Sequence, residues 1–491
     1  MAVFVLTGCD GAKETDGQKP VISAAVFDRG EVPSAEGSYQ DNRWTRWMEE
    51  ETGIKVNWIP IPRNEARQKY NLLVASNDAP DLIVDYDIYL ISSLVKQGVL
   101  QPLDDLIENN SVAYKEYLNN NPDLREFVTY SGKMYALTSK RSIDAAINHG
   151  MWIRQDWLDN LGLSMPDTDE ELLEVARAFR DGDPDGNGTN DTTAFSIQNW
   201  HEIFFTMYQA SGLWYNENGV LEYGLLLDRY ADGLKFFKTC YDENLIDHEF
   251  ITDKDFSRQK ALWANGKSGI LTNTWQESNN RELMQNNPQA NPVPLKPVST
   301  KYGRNGLWQE VAPNLYSGLS KDAKNPEAVI KFADWMIDKG WFTLRFGTEG
   351  VYHNLVDGVP QWIDTEKNKQ ELNYVREYPF LSQWSVKPEW IPVMAAPDAL
   401  SQTLAQQRKI SLEANISVPF RRDLPVDPQI AEVVKAISDF GPIRDEIRMK
   451  VVVGGEKCTP QWGLEEMRKE WQRVGGGEAE RLMNEWYKEA N

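Results

Sequence analysis

From Val21 onward, the apolar positions switch repeatedly between a period of two and a helical period. VISAAVF (21–27) is a short run of small and branched residues and predicts a strand. NRWTRWMEEETG (42–53) places Trp44, Trp47 and Met48 on one stripe and closes on Gly53, which predicts a helix. IKVNWIPI (54–61) alternates, with Ile54, Val56 and Trp58 on one face, so the pattern returns to a strand. RNEARQKYNLLVAS predicts a second helix, and APDLIV ends in a continuous apolar run suited to a buried parallel strand. A helix around YLISSLVKQG and then QPLDDLIEN complete the series. Strand and helix in alternation predict an α/β fold. Near the end, RVGGGEAERLMNEWYKEAN predicts a glycine break and a terminal amphipathic helix, with Leu482, Met483, Trp486 and Tyr487 as its stripe. PQANPVPLKPVST (288–300) is Pro-rich and polar, which predicts a surface connection.

At 491 residues the chain is long enough for roughly two or three domains. Its formal charge of −22 argues against a nucleic-acid partner and against docking on an anionic membrane through protein charge. No internal stretch approaches the roughly 18 apolar residues of a membrane span. The start differs: MAVFVL (1–6) runs into Thr7, Gly8 and Cys9. An apolar run ending in small residues reads as the end of a secretory signal. Leu6-Thr7-Gly8-Cys9 resembles the bacterial lipobox, which implies lipidation of Cys9 and a membrane anchor on the outer face of the cell. Residues 1–19 are then a signal remnant and polar tether. With Cys9 lipidated, Cys240 and Cys458 remain, and whether they pair stays open. The four histidines are too scattered for a zinc motif.

The ordered series from VISAAVF through "TGIKV", "APDLI" and "GVLQPLDDLI" resembles the family 1 extracellular solute-binding proteins. GKMYAL (132–137), MWIRQDWLDNLGL (151–163) and NPEAVIKFADWMI (325–337) continue the likeness in the family's order. The resemblance implies a periplasmic-binding-protein-like class II fold: two α/β lobes, a hinge and a ligand cleft. By that likeness one lobe holds 20–139 plus 313–349, and the other holds 140–312 plus 350–491. It also implies a function: the monomeric binding component of a bacterial ABC importer, which captures a carbohydrate by lobe closure and delivers it to the permease subunits.

The sharpest chemical motif is Asp183-Pro-Asp185-Gly-Asn187-Gly-Thr189-Asn-Asp191. Oxygen donors at alternate positions, with Gly at the sixth for the turn, are what an EF-hand-type loop offers to Ca²⁺. Asp183, Asp185 and Asn187 would give side-chain oxygens, Thr189 its carbonyl and Asp191 the fifth ligand, in a structural role. The twelfth position is Ala194 where an EF-hand has a bidentate Glu. The plain alternative is an ion-free turn, since runs of this composition are common in loops. The loop and the chain length bring the resemblance closest to the larger lipoprotein subgroup that includes the alginate-binding proteins.

Eighteen Trp, nineteen Tyr and seventeen Phe make a chain rich in rings that can stack on pyranose faces, and carboxylates and amides bind sugar hydroxyls. Most of these rings, such as Trp44, Trp58 and Trp335, read as core. The candidates for the site lie in loops. Trp275 follows the strand SGIL, where maltose-type binding proteins place a stacking Trp. Asn199, Trp200 and His201 follow AFSIQ, and Trp308 and Glu310 lie in GLWQEVAP. Asp85, Tyr86 and Asp87 follow DLIV, at the carboxyl end where open α/β sheets place ligands. Tyr39, Asn148, His149 and Trp152 complete the set. Arg141, Arg154 and Arg281 could serve an acidic sugar, but the sequence does not say where they point.

The rival reading is a secreted calcium-containing polysaccharide-degrading enzyme, which needs two carboxylates at a set separation. The 74 acidic residues leave such a pair open. No glycosidase motif is apparent, and there is no G-x-S-x-G elbow. ANGKSG (264–269) lacks the glycine that a P-loop requires, with Ala261 in its place. The sequence therefore favours binding over catalysis.

Overall fold

A computed structural model describes residues 19–197, 202–253, 256–274, 277–428 and 430–490. The elements that position the site are, in chain order, β1 (Val21–Asp28), α1 (Arg43–Thr52), β2 (Lys55–Pro62), α2 (Ala66–Ala75), β3 (Leu82–Asp85), α3 (Ile88–Lys96) and β4 (Ala136–Lys140). Then come β5 (His149–Arg154), α4 (Asp169–Asp181), β6 (Thr193–Ile197), α5 (Asp228–Asp242), β7 (Ser268–Thr274), β8 (Pro292–Leu295) and β9 (Pro313–Leu319). The last group is α6 (Pro326–Trp335), α7 (Ala399–Ser417), α8 (Ala431–Val453), α9 (Pro460–Arg473) and α10 (Gly476–Ala490).

The chain divides into two compact units. The first runs through Thr138 and takes in Leu315–Arg345 and Lys369–Gln383. Its sheet has five strands in the order β2-β1-β3-β9-β4. β1 runs parallel to β2, with Phe27 opposite Ile61, and parallel to β3, with Ala24 opposite Leu82. β9 is antiparallel to β3. β3 is buried along its length, as the LIVD run requires of a strand covered on both faces. α1 starts on a capping box, with Asn42 accepting from the Trp44 and Thr45 amides and the Thr45 hydroxyl bonded back to Asn42. It stops at Gly53, which is left-handed (φ 66°).

The resemblance placed 350–491 wholly in the C-terminal lobe, and residues 369–383 correct that boundary. Tyr374 and Tyr378 pack edge-on against Tyr39, Tyr378 also packs against Trp58, and Glu377 pairs with Arg29 at 2.8 Å. Apolar burial and two ion pairs, Arg29–Glu377 and Arg43–Glu371 at 3.4 Å, tie this segment to the first unit.

The second unit comprises Ser139–Asn314, Phe346–Asn368 and Trp384–Asn491. Its four-stranded sheet has the order β8-β5-β7-β6. β7 is parallel to β6 and antiparallel to β5, and β8 is antiparallel to β5. Residues 288–300 are thus not only a surface connection: β8 forms the edge of the sheet. Pro292 and Pro294 lack an N–H, which an edge strand tolerates and a central one does not. Leu295 is 2% exposed and Val298 is fully buried. Met151, Ile153, Phe195, Ile197 and Ile270 form one apolar layer with Phe179 of α4, Phe236 and Phe237 of α5, and the terminal helices α8 to α10. The stripe foreseen on α10 faces that core, with Met483 fully buried and Leu482, Trp486 and Tyr487 packed on its margin. Cys240 is buried and Cys458 half-buried, and both are free thiols. Among the described residues, no helix is long and apolar enough to cross a membrane.

Candidate functional site

In the first unit, β1, β2 and β3 run parallel and so deliver their carboxyl ends to one edge. Asp85 ends β3, is only 4% exposed, and accepts the Asp87 amide at 2.8 Å. Burial raises its carboxyl above the ordinary range, while that amide and the Arg63 guanidinium pull it back. Asp87 caps α3 by accepting the Tyr89 amide at 2.8 Å and pairs with Arg67. Tyr86 lies flat on Phe27 with ring centroids 5.4 Å apart. The Arg63 guanidinium sits 4.9 Å from the Phe27 ring and 4.8 Å from the Tyr86 ring. Stacking of this kind holds a cation without consuming a carboxylate. Burial raises the Glu377 carboxyl, and Arg29 opposes it. Tyr39 is buried beside Tyr374 and Tyr378, and burial pushes its phenol up to about 12. The Tyr130 phenol, also pushed up to about 12 by burial, has no hydrogen-bond partner among the described residues.

In the second unit, β6 and β7 end at the edge where β5 begins, because Thr272 lies opposite Ile197 and Thr274 opposite His149. Asn199, Trp200, His201 and Trp275 follow those strand ends and lie outside the described residues, as does Cys9. His149 is placed by its backbone pairing alone. Trp152 is 4% exposed inside the sheet, between Leu271 of β7 and Pro294 of β8. Asn148 precedes β5, and its shielded Oδ1 has no hydrogen-bond partner among the described residues.

Trp308 and Glu310 form a second group in this unit. The Trp308 ring packs on Phe420 at 5.4 Å, and Arg422 lies 5.3 Å from the Trp308 ring and 5.6 Å from Phe420. Trp308 Nε1 donates to Glu310 Oε1 at 3.2 Å, and the Glu310 amide donates to the Ala146 carbonyl at 2.8 Å. That bond sets Glu310 beside the segment that leads to Asn148. The crossing that brings Trp308 onto Phe420 depends on Gly306. A Cβ there would meet the Val418 carbonyl oxygen, the Phe420 nitrogen at 2.7 Å and the Pro419 carbonyl carbon at 2.8 Å. A half-exposed indole flanked by a carboxylate and a guanidinium can cover the C–H face of a sugar and bind its hydroxyls.

The three arginines whose direction the sequence left open are engaged locally. Arg154 clasps Asp156 at 2.8 and 3.1 Å, Arg281 donates to Ser401 Oγ at 2.9 Å, and Arg141 reaches the Pro313 carbonyl at 3.3 Å. Phe27, Arg63, Glu377, Phe420 and Arg422 were not anticipated, because only register and chain crossings bring them to these places.

The 183–191 loop follows α4, which starts on a capping box at Thr168 and Glu171. Asp183 adopts φ 48° and accepts the amides of Asn187 at 3.1 Å and Gly188 at 3.0 Å. The Asn187 amide donates to Asp185 at 2.8 Å and to Asp191 at 3.1 Å. The Thr189 amide donates to Asn187 Oδ1 at 2.7 Å. The Lys267 ammonium lies 3.1 Å from Asp185 and 2.7 Å from Asp191. These hydrogen bonds, that to Asp191 foremost, raise the lysine and lower Asp191. Asp185 Oδ1 is shielded and has no hydrogen-bond partner among the described residues. Ala194, at the twelfth loop position, is fully buried in β6 and offers no ligand. Among the described residues, no three His, Cys, Asp or Glu side chains are gathered as a metal would gather them. The donor chemistry still suits a hard cation, and the unpartnered Asp185 oxygen marks where it would be felt.

The family model described as bacterial extracellular solute-binding protein matches residues 32–341. The lipoprotein LipO of Bacillus subtilis is 26% identical over 99% of this chain and 97% of its own length. The ABC-transporter substrate-binding protein FusA of Streptococcus pneumoniae, solved in complex with kestose, superposes with a TM-score of 0.76 at 19% identity. That match covers 96% of this chain and 99% of FusA. The alginate-binding protein AlgQ2, solved without calcium ion, gives the same TM-score and identity over 96% of this chain and 98% of its own. The α/β fold is therefore shared over almost the whole described length.

Proposed function

The chain belongs to the bacterial extracellular solute-binding protein family, and on that premise we propose that its solute is an oligosaccharide handed to an ABC importer. The observation that carries the reading is the half-exposed Trp308 and Arg422, seated on the buried Phe420, with Glu310 beside them. Rings for C–H faces and charged or amide groups for hydroxyls are what a carbohydrate site combines. The Tyr86–Phe27–Arg63 stack with Asp85 and Asp87 supplies the same pairing at the first sheet. The binding of kestose by FusA supports the carbohydrate class. On this reading Trp275, Asn199, Trp200, His201, Asn148 and His149 contribute to the same ligand, and the chain captures sugar without turning it over. Cys9 carries the lipid anchor on the outer face of the membrane.

Calcium belongs to the same proposal. Asp183, Asp185, Asn187, Thr189 and Asp191 are the residues that would hold it. The ion would supply positive charge that pins the loop after α4, in competition with Lys267.

The test is titration of the protein with kestose, nystose, maltotetraose and oligogalacturonate by calorimetry, for the wild type, Trp308→Ala and Trp275→Ala. Saturable binding of one class, weakened at least tenfold in both variants while the fold is retained, is the expected result. Unchanged affinity in both would remove this placement of the site.

A further inference from the structure

Helix α7 buries a polar row where most helices bury an apolar one. Gln407, Ser411 and Asn415 are 8%, 2% and 3% exposed. Spaced by four, they share one face of the helix. That face lies on the second sheet, since a Cβ added at Gly150 would meet Ser411 Oγ at 3.5 Å and Trp152 Nε1 at 3.9 Å. Side chains alternate along a strand, so Gly150 and Trp152 occupy the side of β5 opposite Met151 and Ile153, which belong to the apolar core. The Arg408–Asp144 ion pair at 2.5 Å fixes α7 beside the segment that leads through Asn148 into β5.

Three amide oxygens in this neighbourhood have no partner among the described residues. Gln407 Oε1, Asn415 Oδ1 and Asn148 Oδ1 are shielded from solvent and accept no hydrogen bond among the described residues. The Asn415 Nδ2 is already engaged with the Ser411 carbonyl at 2.8 Å, which leaves its oxygen as the free function. Buried polar atoms in native proteins nearly always find partners, and each exception calls for an explanation. The three carbonyl oxygens accept hydrogen bonds and would repel a carboxylate, while the serine hydroxyl among them can donate or accept. They match a ligand rich in hydroxyl donors.

We propose that this face of α7 is a hydroxyl-binding subsite in which Gln407, Ser411 and Asn415, with Asn148, accept hydrogen bonds from an uncharged part of the sugar. The assignment rests on the carbohydrate reading above and names a segment of chain that reading did not include. It also favours hydroxyls over uronate carboxylates at this position.

The full-length protein and its Gln407→Leu, Asn415→Leu and Asn415→Asp variants test it, by thermal unfolding and calorimetry with kestose, maltotetraose and oligogalacturonate. For whichever neutral sugar stabilises the wild type, each Leu variant should bind roughly ten- to a hundredfold more weakly. The ligand-free Gln407→Leu variant should melt at or above the wild-type temperature, because an unpartnered buried oxygen has been removed, whereas Asn415→Leu also loses the Nδ2 bond to the Ser411 carbonyl. Asn415→Asp keeps the accepting oxygen and should keep most of the affinity. Leu variants that bind normally, whatever their melting temperature, would assign the row to internal packing or water only and overturn the subsite. A wild type stabilised by oligogalacturonate but by neither neutral sugar would overturn this assignment alone, and one stabilised by none of the three would overturn the carbohydrate reading with it.

Discussion

Gly306→Ala perturbs the point where two chain segments cross beneath the Trp308 group. The added methyl would lie 2.7 Å from the Phe420 nitrogen and 2.8 Å from the Pro419 carbonyl carbon, with the Val418 carbonyl oxygen closer still. All three are backbone atoms, so no side-chain rotation relieves the clash, and residues 418–421 must move away. Overpacking of this kind costs about 1–3 kcal/mol. Moving the segment also strains two hydrogen bonds, Gly306 N to Pro419 O at 3.0 Å and Arg421 N to Asn305 Oδ1 at 3.2 Å. Each is worth about 1 kcal/mol. The expected loss is therefore about 1–5 kcal/mol, the upper end if both bonds break, together with displacement of Phe420 from Trp308. Urea unfolding followed by tryptophan fluorescence reads the stability, and sugar titration reads the site. Trp308→Ala is the companion variant. It removes the half-buried ring and should weaken binding with a smaller effect on the unfolding midpoint. A Gly306→Ala protein that unfolds at the wild-type midpoint and binds normally would refute the crossing as the device that seats Trp308.

Three further outcomes follow from the same geometry. Lys267→Met leaves Asp185 and Asp191 without their cation. Because the lysine is about a third exposed, the cost with chelator present should be modest, about 1 kcal/mol. Added Ca²⁺ should stabilise the variant more than the wild type in a melting assay, and equal shifts would count against competition for the loop. Burial pushes the Asp427 carboxyl up to about 6, with Arg422 opposing. A raised acid favours the protonated folded state, so its contribution is full below about pH 4, the unfolded value, and is lost as pH rises through about 6. Asp427→Asn should flatten that part of the stability profile between pH 4 and 7, and an unchanged slope would remove the assignment. Thr168→Ala removes the side-chain acceptor of the Glu171 amide at the start of α4 and should cost about 1 kcal/mol by urea unfolding.

Local pattern carried the first strands and helices of the first unit and the terminal helix α10, because their apolar periodicity agrees with where they end up. The position of Asp85, Tyr86 and Asp87 at the carboxyl end of β3 was legible because they follow a continuous apolar run that reads as a buried parallel strand. Phe27 and Arg63 were not, since only the pairing of β1 with β2 carries them to Tyr86. Phe420 and Arg422 lie just past α7 in a stretch with no period, and the close approach at Gly306 leaves no trace in sequence. β8 was read as connection because Pro292 and Pro294 argue against a strand, but a sheet edge makes no demand on their missing N–H groups. The row on α7 escaped notice because Gln407, Ser411 and Asn415 are polar, and apolar periodicity does not register a buried polar face. Lys267 stands 76 residues from Asp191, so its place at the acidic loop is a fact of the fold alone.

The most direct test of the central claim is calorimetric titration of the purified protein, in calcium-containing buffer, with neutral and acidic oligosaccharides, followed by chromatographic recovery of the sugar. The account predicts saturable binding of one oligosaccharide class, with the sugar recovered intact. Recovery of shorter products, or no heat from any sugar in the panel, would contradict it.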